Sequence, residues 1–455
     1  MATPLDRAQP PLQHFPTQVK GWLLAIIRLL LPFWLRWRCH LVKIETRNLQ
    51  YLIDLTTQLN QDKARYIMAF RHPGIDDQFV LLHLYAKILP QAAAQQGVKF
   101  SRPPHSYFVY DRGIPLWGGK IVSLLFPNLG GISIFRGKPD RDAMRTIRKF
   151  LLAGELPVAI APEGGTNHHN ELLGQIEPGV AQFAFWAAED LDKANHSAQV
   201  YILPVGLQYE YVGNDWSKID RLLMELEQVV GLRKPFVQSG DRYQRLYDLG
   251  VHLVETVSAH YQKFYGQYAP TPAQPSDSLG EKIQILLDHI LRVAEAPFAI
   301  KPSGTIMDRC RRLEQAIWDR VFRNDLNLEQ LSALELSYAN QLAKEAATSD
   351  WHMRIAESLR SITGEYVAAR PSLTRFAEML MMTWAAIQRV RNQPYSRSPV
   401  LGDRACVITI GKPICVSDRY GAYQSSRAVA RTESAQLTAD LGDRLEELIF
   451  PSRLD

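Results

Sequence analysis

Arg65-Tyr-Ile-Met-Ala-Phe-Arg-His-Pro-Gly-Ile-Asp-Asp77 sets the fold class. Arg65–Phe70 is an apolar run with no turn former, which reads as a buried strand, and Pro73-Gly74 punctuates it. Beyond the loop, Phe79, Leu82, Tyr85 and Leu89 fall at helical spacing, so a helix is expected over 77–89. Strand, loop and helix in that order form the unit of a covered parallel sheet. The pattern recurs downstream. Strands are expected at Ser106–Tyr110, Gly131–Arg136, Pro157–Ala161 and Val200–Leu207, with a basic helix over 140–153. The expected fold is α/β, a mostly parallel sheet flanked by helices. In such sheets functional groups gather in the loops beyond the carboxyl ends of the strands.

Those loops carry reactive side chains. His72 and Asp77 stand in an H-x4-D spacing. A neutral imidazole can take the proton of a substrate hydroxyl while a carboxylate on its other nitrogen fixes the tautomer. A structural turn histidine beside a helix-capping Asp is the bland alternative. The third strand ends in Phe135-Arg136-Gly137-Lys138, the fourth runs into Pro162-Glu163-Gly164-Gly165-Thr166, and the fifth carries Leu203-Pro204-Val205. There is no G-x-S-x-G elbow, no phosphate-binding G-x-x-x-x-G-K-[ST] loop and no G-x-G-x-x-G dinucleotide loop. His168-His169 lacks a carboxylate–His partner set, so no metal is expected.

On either side of this region the pattern changes. Between 213 and 400 strand signals vanish, and helices are expected over 242–265, 279–296, 307–322, 328–347 and 371–392. Asn327 with Gln330 reads as a cap of the fourth of these, and Ala269–Ser278 as a stiff polar hinge. The Met379–Trp384 stretch reads as core packing. Ala405–Val416 alternates as a strand pair around Gly411-Lys412-Pro413, and Leu437, Leu441, Leu445 and Leu448 mark one face of a final helix. The expected division is 1–50, 51–212, 213–400 and 401–455: an N-terminal membrane-associated helical segment, an α/β domain, an α-helical insert, and the last strands and helix completing the α/β domain.

Residues 22–35 read Trp-Leu-Leu-Ala-Ile-Ile-Arg-Leu-Leu-Leu-Pro-Phe-Trp-Leu. The run is shorter than the roughly 20 apolar residues of a spanning helix. Lys20, Arg28, Arg36, Arg38 and Lys43 lie in or beside it with no acid among them. With Trp22, Trp34 and Trp37 at headgroup level, an interfacial helix is expected, its cations on lipid phosphates. A helix packed on the protein core is the alternative.

Fifty-two Lys and Arg against 47 Asp and Glu give a net charge of +5, too small an excess to argue for nucleic acid. The four Cys, at 39, 310, 406 and 415, form no C-x-x-C site and read as reduced thiols of an intracellular protein.

The order of these loops resembles the glycerophospholipid acyltransferases, of the 1-acyl-glycerol-3-phosphate acyltransferase type. His72 and Asp77 match the first motif of that family, Gly131 and Arg136 the second, Pro162-Glu163-Gly164 the third, and Leu203-Pro204-Val205 the fourth. Glu177-Pro178-Gly179-Val180 is similar to the family's Gly-initiated helix. The resemblance covers about 50–210 and resumes at the last strand. It implies a membrane-associated O-acyltransferase on the cytoplasmic face, peripheral or monotopic, in phospholipid biosynthesis. His72 and Asp77 would be the catalytic dyad. Arg136, Gly131, Glu163, Gly164 and Gly165 would bind substrate, with loop donors near Gly164 stabilising the oxyanion. The acyl donor would be acyl-CoA or acyl carrier protein (acyl-ACP), with no other cofactor, and membrane lipids would be the partners. The family pattern continues Pro-Glu-Gly-Thr-Arg, but Gly165 and Thr166 stand here instead. That puts a lysophosphatidate acceptor in doubt, with Arg112, Lys138 or Arg141 as compensating cations. Acylation of a different lipid alcohol or lysophospholipid, a thioester or lipid hydrolase and a non-catalytic lipid-binding protein are the competing readings.

Overall fold

A computed structural model describes residues 5–12, 15–135, 139–232, 242–270, 278–362, 364–393 and 398–452, the side chains of 115–117 and 120 excepted. Arg136 to Lys138 and most of the expected hinge lie outside the described residues.

The chain builds one eight-stranded sheet. Its strands are β1 (Leu41–Arg47), β2 (Ala64–Phe70), β3 (Tyr107–Asp111), β4 (Gly131–Ile134), β5 (Val158–Ile160), β6 (Gln199–Tyr211), β7 (Arg404–Ile410) and β8 (Ile414–Cys415). The order is β1-β7-β6-β2-β5-β3-β4, with β8 beside β6. β6, β2, β5, β3 and β4 are parallel, so their carboxyl ends share one edge of the sheet. β7 and β8 run antiparallel to β6, and β1 runs parallel to β7.

Helices cover both faces. They are α1 (Gly21–Trp37), α2 (Gln50–Asn60), α3 (Asp77–His83), α4 (Leu89–Gln95), α5 (Ile114–Asn128), α6 (Arg141–Ala153) and α7 (Gly179–Lys193). A π-helical turn, Leu84–Ile88, joins α3 to α4 in place of the uninterrupted expected helix. Period-two alternation in β2 feeds both layers. Tyr66, Met68 and Phe70 pack under α1 to α4, and Ile67 and Ala69 pack under α6 and α7.

From Ser217 to Val390 every described element is helical. These are α8 (Ser217–Val229), α9 (Arg242–Tyr265), α10 (Leu279–Glu295), α11 (Ile306–Val321), α12 (Ala333–Arg360), α13 (Gly364–Ala369) and α14 (Leu373–Val390). They enclose their own core, in which Met379 and Met382 are buried. The start of α12 differs from expectation. Ser332 and Glu335 form its capping box, while Asn327 holds the preceding turn, accepting from Gln330 N at 3.0 Å through its carbonyl and from Glu329 N at 3.3 Å through Oδ1. Asn and Ser cap about equally well, and Ser332 takes the role because the helix begins directly after it, at Ala333. After the module come β7, β8, α15 (Ser417–Tyr423) and α16 (Arg427–Glu446), with Leu437, Leu441 and Leu445 buried on the sheet.

Two further expectations are corrected. The N-terminal segment is not helical throughout, because Leu41–Arg47 pairs with β7 as the sheet's edge strand. Its Lys, Glu and Arg suit an edge, where charges block further pairing. The two strands around Gly411 do not pair with each other. Both bind β6, whose 13 residues are long enough to hold them end to end.

On α1 the core-packing alternative holds for one face, where Leu24, Leu31 and Leu35 are buried. Two of the expected row of cations are engaged within the protein. Arg28 donates to Pro104 O at 2.7 Å and Arg36 to Asp403 at 3.2 Å. No described helix is long and apolar enough to cross a membrane. All four cysteines are free thiols.

Candidate active site

The five parallel strands end at one edge of the sheet, and β2 supplies the centre. Its last residue, Phe70, hands over to Arg71, which is completely buried. Arg71 donates to the carbonyls of Asn170 at 2.7 Å, His169 at 3.3 Å and Leu172 at 2.8 Å. A guanidinium fork thus ties the loop after β5 to the end of β2. With these bonds it satisfies loop carbonyls that burial would otherwise leave unpaired.

His72 follows. Its Nδ1 lies 2.7 Å from Asp77 Oδ2. Asp77 is fully buried in the first turn of α3, and also accepts from Gly74 N at 3.0 Å and from the Tyr209 hydroxyl. Three donors aimed at one carboxyl group suit an ionised carboxylate, which only accepts. Nδ1 therefore carries the imidazole proton and Nε2 keeps its lone pair. Nε2 in turn faces the Thr166 hydroxyl at 3.1 Å, so the hydroxyl donates to it. Asp76, the neighbouring carboxylate, points away to Arg404 at 2.6 Å. The bland reading of a helix-capping Asp does not describe Asp77, whose oxygens go to the imidazole, Gly74 and Tyr209.

The Pro-Glu-Gly turn does different work from that expected. Glu163 is buried, with Oε1 accepting from His72 N at 2.9 Å and Oε2 from Gly174 N at 2.7 Å and Asn167 Nδ2 at 2.5 Å. It fastens two backbone amides and the Asn167 side chain around the imidazole, and these contacts account for both its oxygens. Gly164 has φ +69°, and an added Cβ would strike Glu177 and Arg311, so only glycine fits. Its N–H is spent on Ala161 O at 3.1 Å, which removes it as an oxyanion donor. Gly165 lies in the same turn, between Gly164 and Thr166.

Gly131 is not part of this cluster. It opens β4 at the amino end, opposite the edge that carries His72, with Phe126 O 2.6 Å from where a Cβ would sit. Arg112 is committed to Asp140 at 2.6 Å and stacked on Phe135, and Arg141 is exposed at the start of α6. His169 donates through Nδ1 to Asn167 O at 2.8 Å and meets the Tyr366 ring edge-on.

The sequence reading passed over several residues of the site. Asn170 accepts from Tyr209 N at 2.6 Å through its Oδ1 and donates to Glu378 of α14. Thr166, Tyr209, Asn170 and Arg71 therefore belong to the centre. The one sequence signal was the Gly-Thr pair after Pro-Glu-Gly, which places a hydroxyl one residue further along the loop.

Residues 54–208 match the family model described as Acyltransferase, the family of glycerophospholipid acyltransferases. No curated protein matches the chain. The match runs from α2 to β6 and takes in His72, Asp77, Glu163, Thr166, strands β2 to β5 and most of β6, while β1, the helical module and β7 lie outside it. The chain thus carries an acyltransferase-family domain over that stretch, which supports an acyl-transfer role in lipid metabolism.

Proposed function

We infer that the protein is a membrane-associated O-acyltransferase that moves a fatty acyl group from a thioester, acyl-CoA or acyl-ACP, to a hydroxyl of a glycerolipid acceptor. The observation that carries this reading is the Thr166–His72–Asp77 line. An alcohol donates to Nε2 at 3.1 Å while the other ring nitrogen is held at 2.7 Å by a buried carboxylate. Thr166 stands in for an acceptor alcohol, which would present its O–H to the same lone pair.

In the reaction, Nε2 takes the proton as the acceptor oxygen attacks the thioester carbonyl carbon. The tetrahedral intermediate collapses by breaking the C–S bond. The imidazolium, steadied by Asp77, returns the proton to the leaving sulfur, giving ester and free thiol. Asp77 keeps its charge throughout, because Tyr209 and Gly74 continue to donate to it.

Membrane association is supported by the outer face of α1. Trp22, Ile26, Leu29, Leu30, Phe33 and Trp37 are all exposed, between 47% and 74%, and at 100° per residue they share one sector opposite the buried leucines. Gln18 N and Lys20 N bond to Pro127 O and Asn128 O, which joins the start of α1 to the end of α5, a helix that exposes Ile121 and Leu124 in its own middle. Exposed apolar patches of this kind mark interaction or membrane surfaces.

The testing experiment incubates the protein with radiolabelled acyl thioester and a panel of lysolipids. Labelled lipid with stoichiometric free thiol is expected. Free fatty acid alone would identify a hydrolase, and no turnover with any acceptor would leave a lipid-binding protein.

A further inference from the structure

The loop after β5 is not held by its own domain alone. One helix of the module, α14, reaches it and the end of β6 from neighbouring positions on one face. Thr374 accepts from Tyr211 N at 3.3 Å, Arg375 takes Glu171 at 2.7 Å, and Glu378 takes Asn170. The last of these contacts leads to the dyad. β2 stops pairing with β6 at Val205, so Tyr209, further along β6, has β7 on one side and no strand on the other. The Asn170 side chain fills that place, its Oδ1 accepting from Tyr209 N at 2.6 Å. An N–H can only donate, so the amide is turned with its Nδ2 toward Glu378, which accepts.

Tyr209 then donates through its hydroxyl to Asp77 Oδ1, and Asp77 Oδ2 holds His72 Nδ1 at 2.7 Å. Asn170, Tyr209 and Asp77 thus connect Glu378 to the imidazole by unbroken contacts. The other oxygen of Glu378 accepts from the Tyr366 hydroxyl at 2.7 Å, and the Tyr366 ring is itself held between the Arg375 guanidinium and His169. The acid is therefore fixed from behind. Among the described residues Glu378 makes no ion pair, and burial penalises its charge. A carboxylate withdrawn from water without a cation costs stability, so its charge is not what secures the fold.

We propose that Glu378 is a positioning residue for the catalytic dyad: acting through Asn170, the helical module sets the placement of Tyr209 and so of the Asp77–His72 pair. Glu378 touches neither substrate nor the reacting atoms. Tyr209 and Glu378 both lie beyond the stretch that matches the acyltransferase family, which ends at residue 208, so this link is a contribution of the chain outside that domain. For its kinetic consequences the proposal rests on the acyl-transfer reading. The placement of the imidazole does not depend on it.

The test titrates His72 by NMR in the full chain carrying isotope-labelled histidine, its signal assigned by its loss in His72→Gln. Glu378→Met keeps the bulk and cannot accept. It is expected to shift the His72 pKa by about half a unit or more, in the same direction as Tyr209→Phe. Glu378→Gln still offers Asn170 an oxygen and should shift it less. In a Tyr209→Phe background Glu378→Met should add little, because the link is already cut. In steady-state turnover of an acyl thioester the same ranking should appear in kcat, with a fall of about three- to thirtyfold for Glu378→Met and KM little changed. A brace of the fold alone would lower the melting temperature of Glu378→Met and leave the His72 titration where it is, and that result overturns the proposal. Equal shifts for the Gln and Met variants, or full additivity in the double variant, overturn it as well. Should Glu378→Met not fold, Tyr366→Phe frees the same carboxylate from behind, with a smaller shift in the same direction expected and no shift overturning the proposal. A shifted His72 in a chain that turns over no thioester upholds the positioning role and removes the acyl-transfer reading instead.

Discussion

Tyr209 and Asp77 are bonded through the tyrosine hydroxyl and Oδ1, on the far side of the carboxylate from His72. Burial, and then the adjacent Asp77 charge, raise the Tyr209 pKa well above its ordinary value, so the phenol stays protonated and donates. This bond fixes the carboxylate plane that orients the imidazole. Tyr209→Phe keeps the ring and removes only the hydroxyl. Hydrogen bonds to charged groups are worth about 1.5–3 kcal/mol, so kcat is expected to fall roughly 10- to 100-fold with the fold intact. The acid limb of the pH–rate profile should move as well, because the carboxylate that steadies the imidazolium has changed. Wild-type kcat and an unmoved profile would remove Tyr209 from the catalytic apparatus.

The neighbouring acids give a second, paired prediction. Asp77 meets the imidazole and Asp76 meets Arg404. His72→Ala should cost about 10²–10⁴-fold in turnover, the range of general-base catalysis, and Asp77→Asn should fall within it. Asp76→Asn loses a partly exposed ion pair, which is worth ~1 kcal/mol of stability, and should keep most of the activity. Steady-state rates beside thermal melts separate the two effects. An Asp76→Asn enzyme as inactive as Asp77→Asn would overturn the division of labour.

Acid sensitivity follows from three buried imidazoles. Burial lowers the pKa of His105, His169 and His352 to about 4 in each case, although His105 and His169 also donate to backbone carbonyls. In the unfolded chain these groups titrate near 6.5, so between pH 6.5 and 4 the unfolded state binds more protons and stability falls as pH falls. Each contributes a slope of about 1.4 kcal/mol per pH unit in that window. Glu378 acts in the opposite sense. Desolvation first, resisted by its bonds from Tyr366 and Asn170, raises it to about 7, so the folded state holds its proton from 7 down to the ordinary 4.5. One opposing proton offsets one of three, and a net loss of stability on acidification remains. Urea melts at pH 7, 6 and 5 should show falling midpoints, and His352→Gln should flatten the trend. Constant midpoints would contradict it.

How much of this was legible in the sequence depends on the range of the contact. The β2 strand and its loop were readable because an apolar run is cut by Pro73-Gly74, and His72 and Asp77 are five residues apart on one turn. The direction of a side chain was not readable. Glu163 has the residue type of a ligand-pocket acid, yet both its oxygens face backbone amides and Asn167. Tyr209 reaches Asp77 across 132 residues and Thr166 reaches His72 across 94, separations that no local pattern encodes. Strand β1 escaped notice because its charges mask a seven-residue alternation, and its pairing partner lies more than 350 positions later. The pairing of β7 and β8 with β6 rather than with each other was hidden for a related reason. Gly-Lys-Pro looks like a hairpin turn, and only the length of β6 decides otherwise.

The outer face of α1 permits a test that leaves the fold alone. Removing the segment would be uninformative, since Leu24, Leu31 and Leu35 are core residues and β1 follows directly. Leu29 and Trp37 are 71% and 74% exposed, so Leu29→Glu and Trp37→Glu add charge where nothing packs tightly, and melting temperatures should stay close to wild type. At a lipid interface each change forfeits the burial of a large apolar side chain, about 1.5–3 kcal/mol, and adds a charge the acyl region rejects. The double variant should therefore partition into anionic vesicles at least tenfold more weakly in flotation assays. Raised salt should weaken the wild type further, because cations beside the helix lose their attraction to the lipid phosphates. Arg28 and Arg36 are tied down by Pro104 and Asp403, so the apolar face should dominate and the salt effect should be the smaller of the two. Flotation of the double variant equal to that of wild type would detach α1 from the membrane reading and leave its exposed tryptophans to another partner.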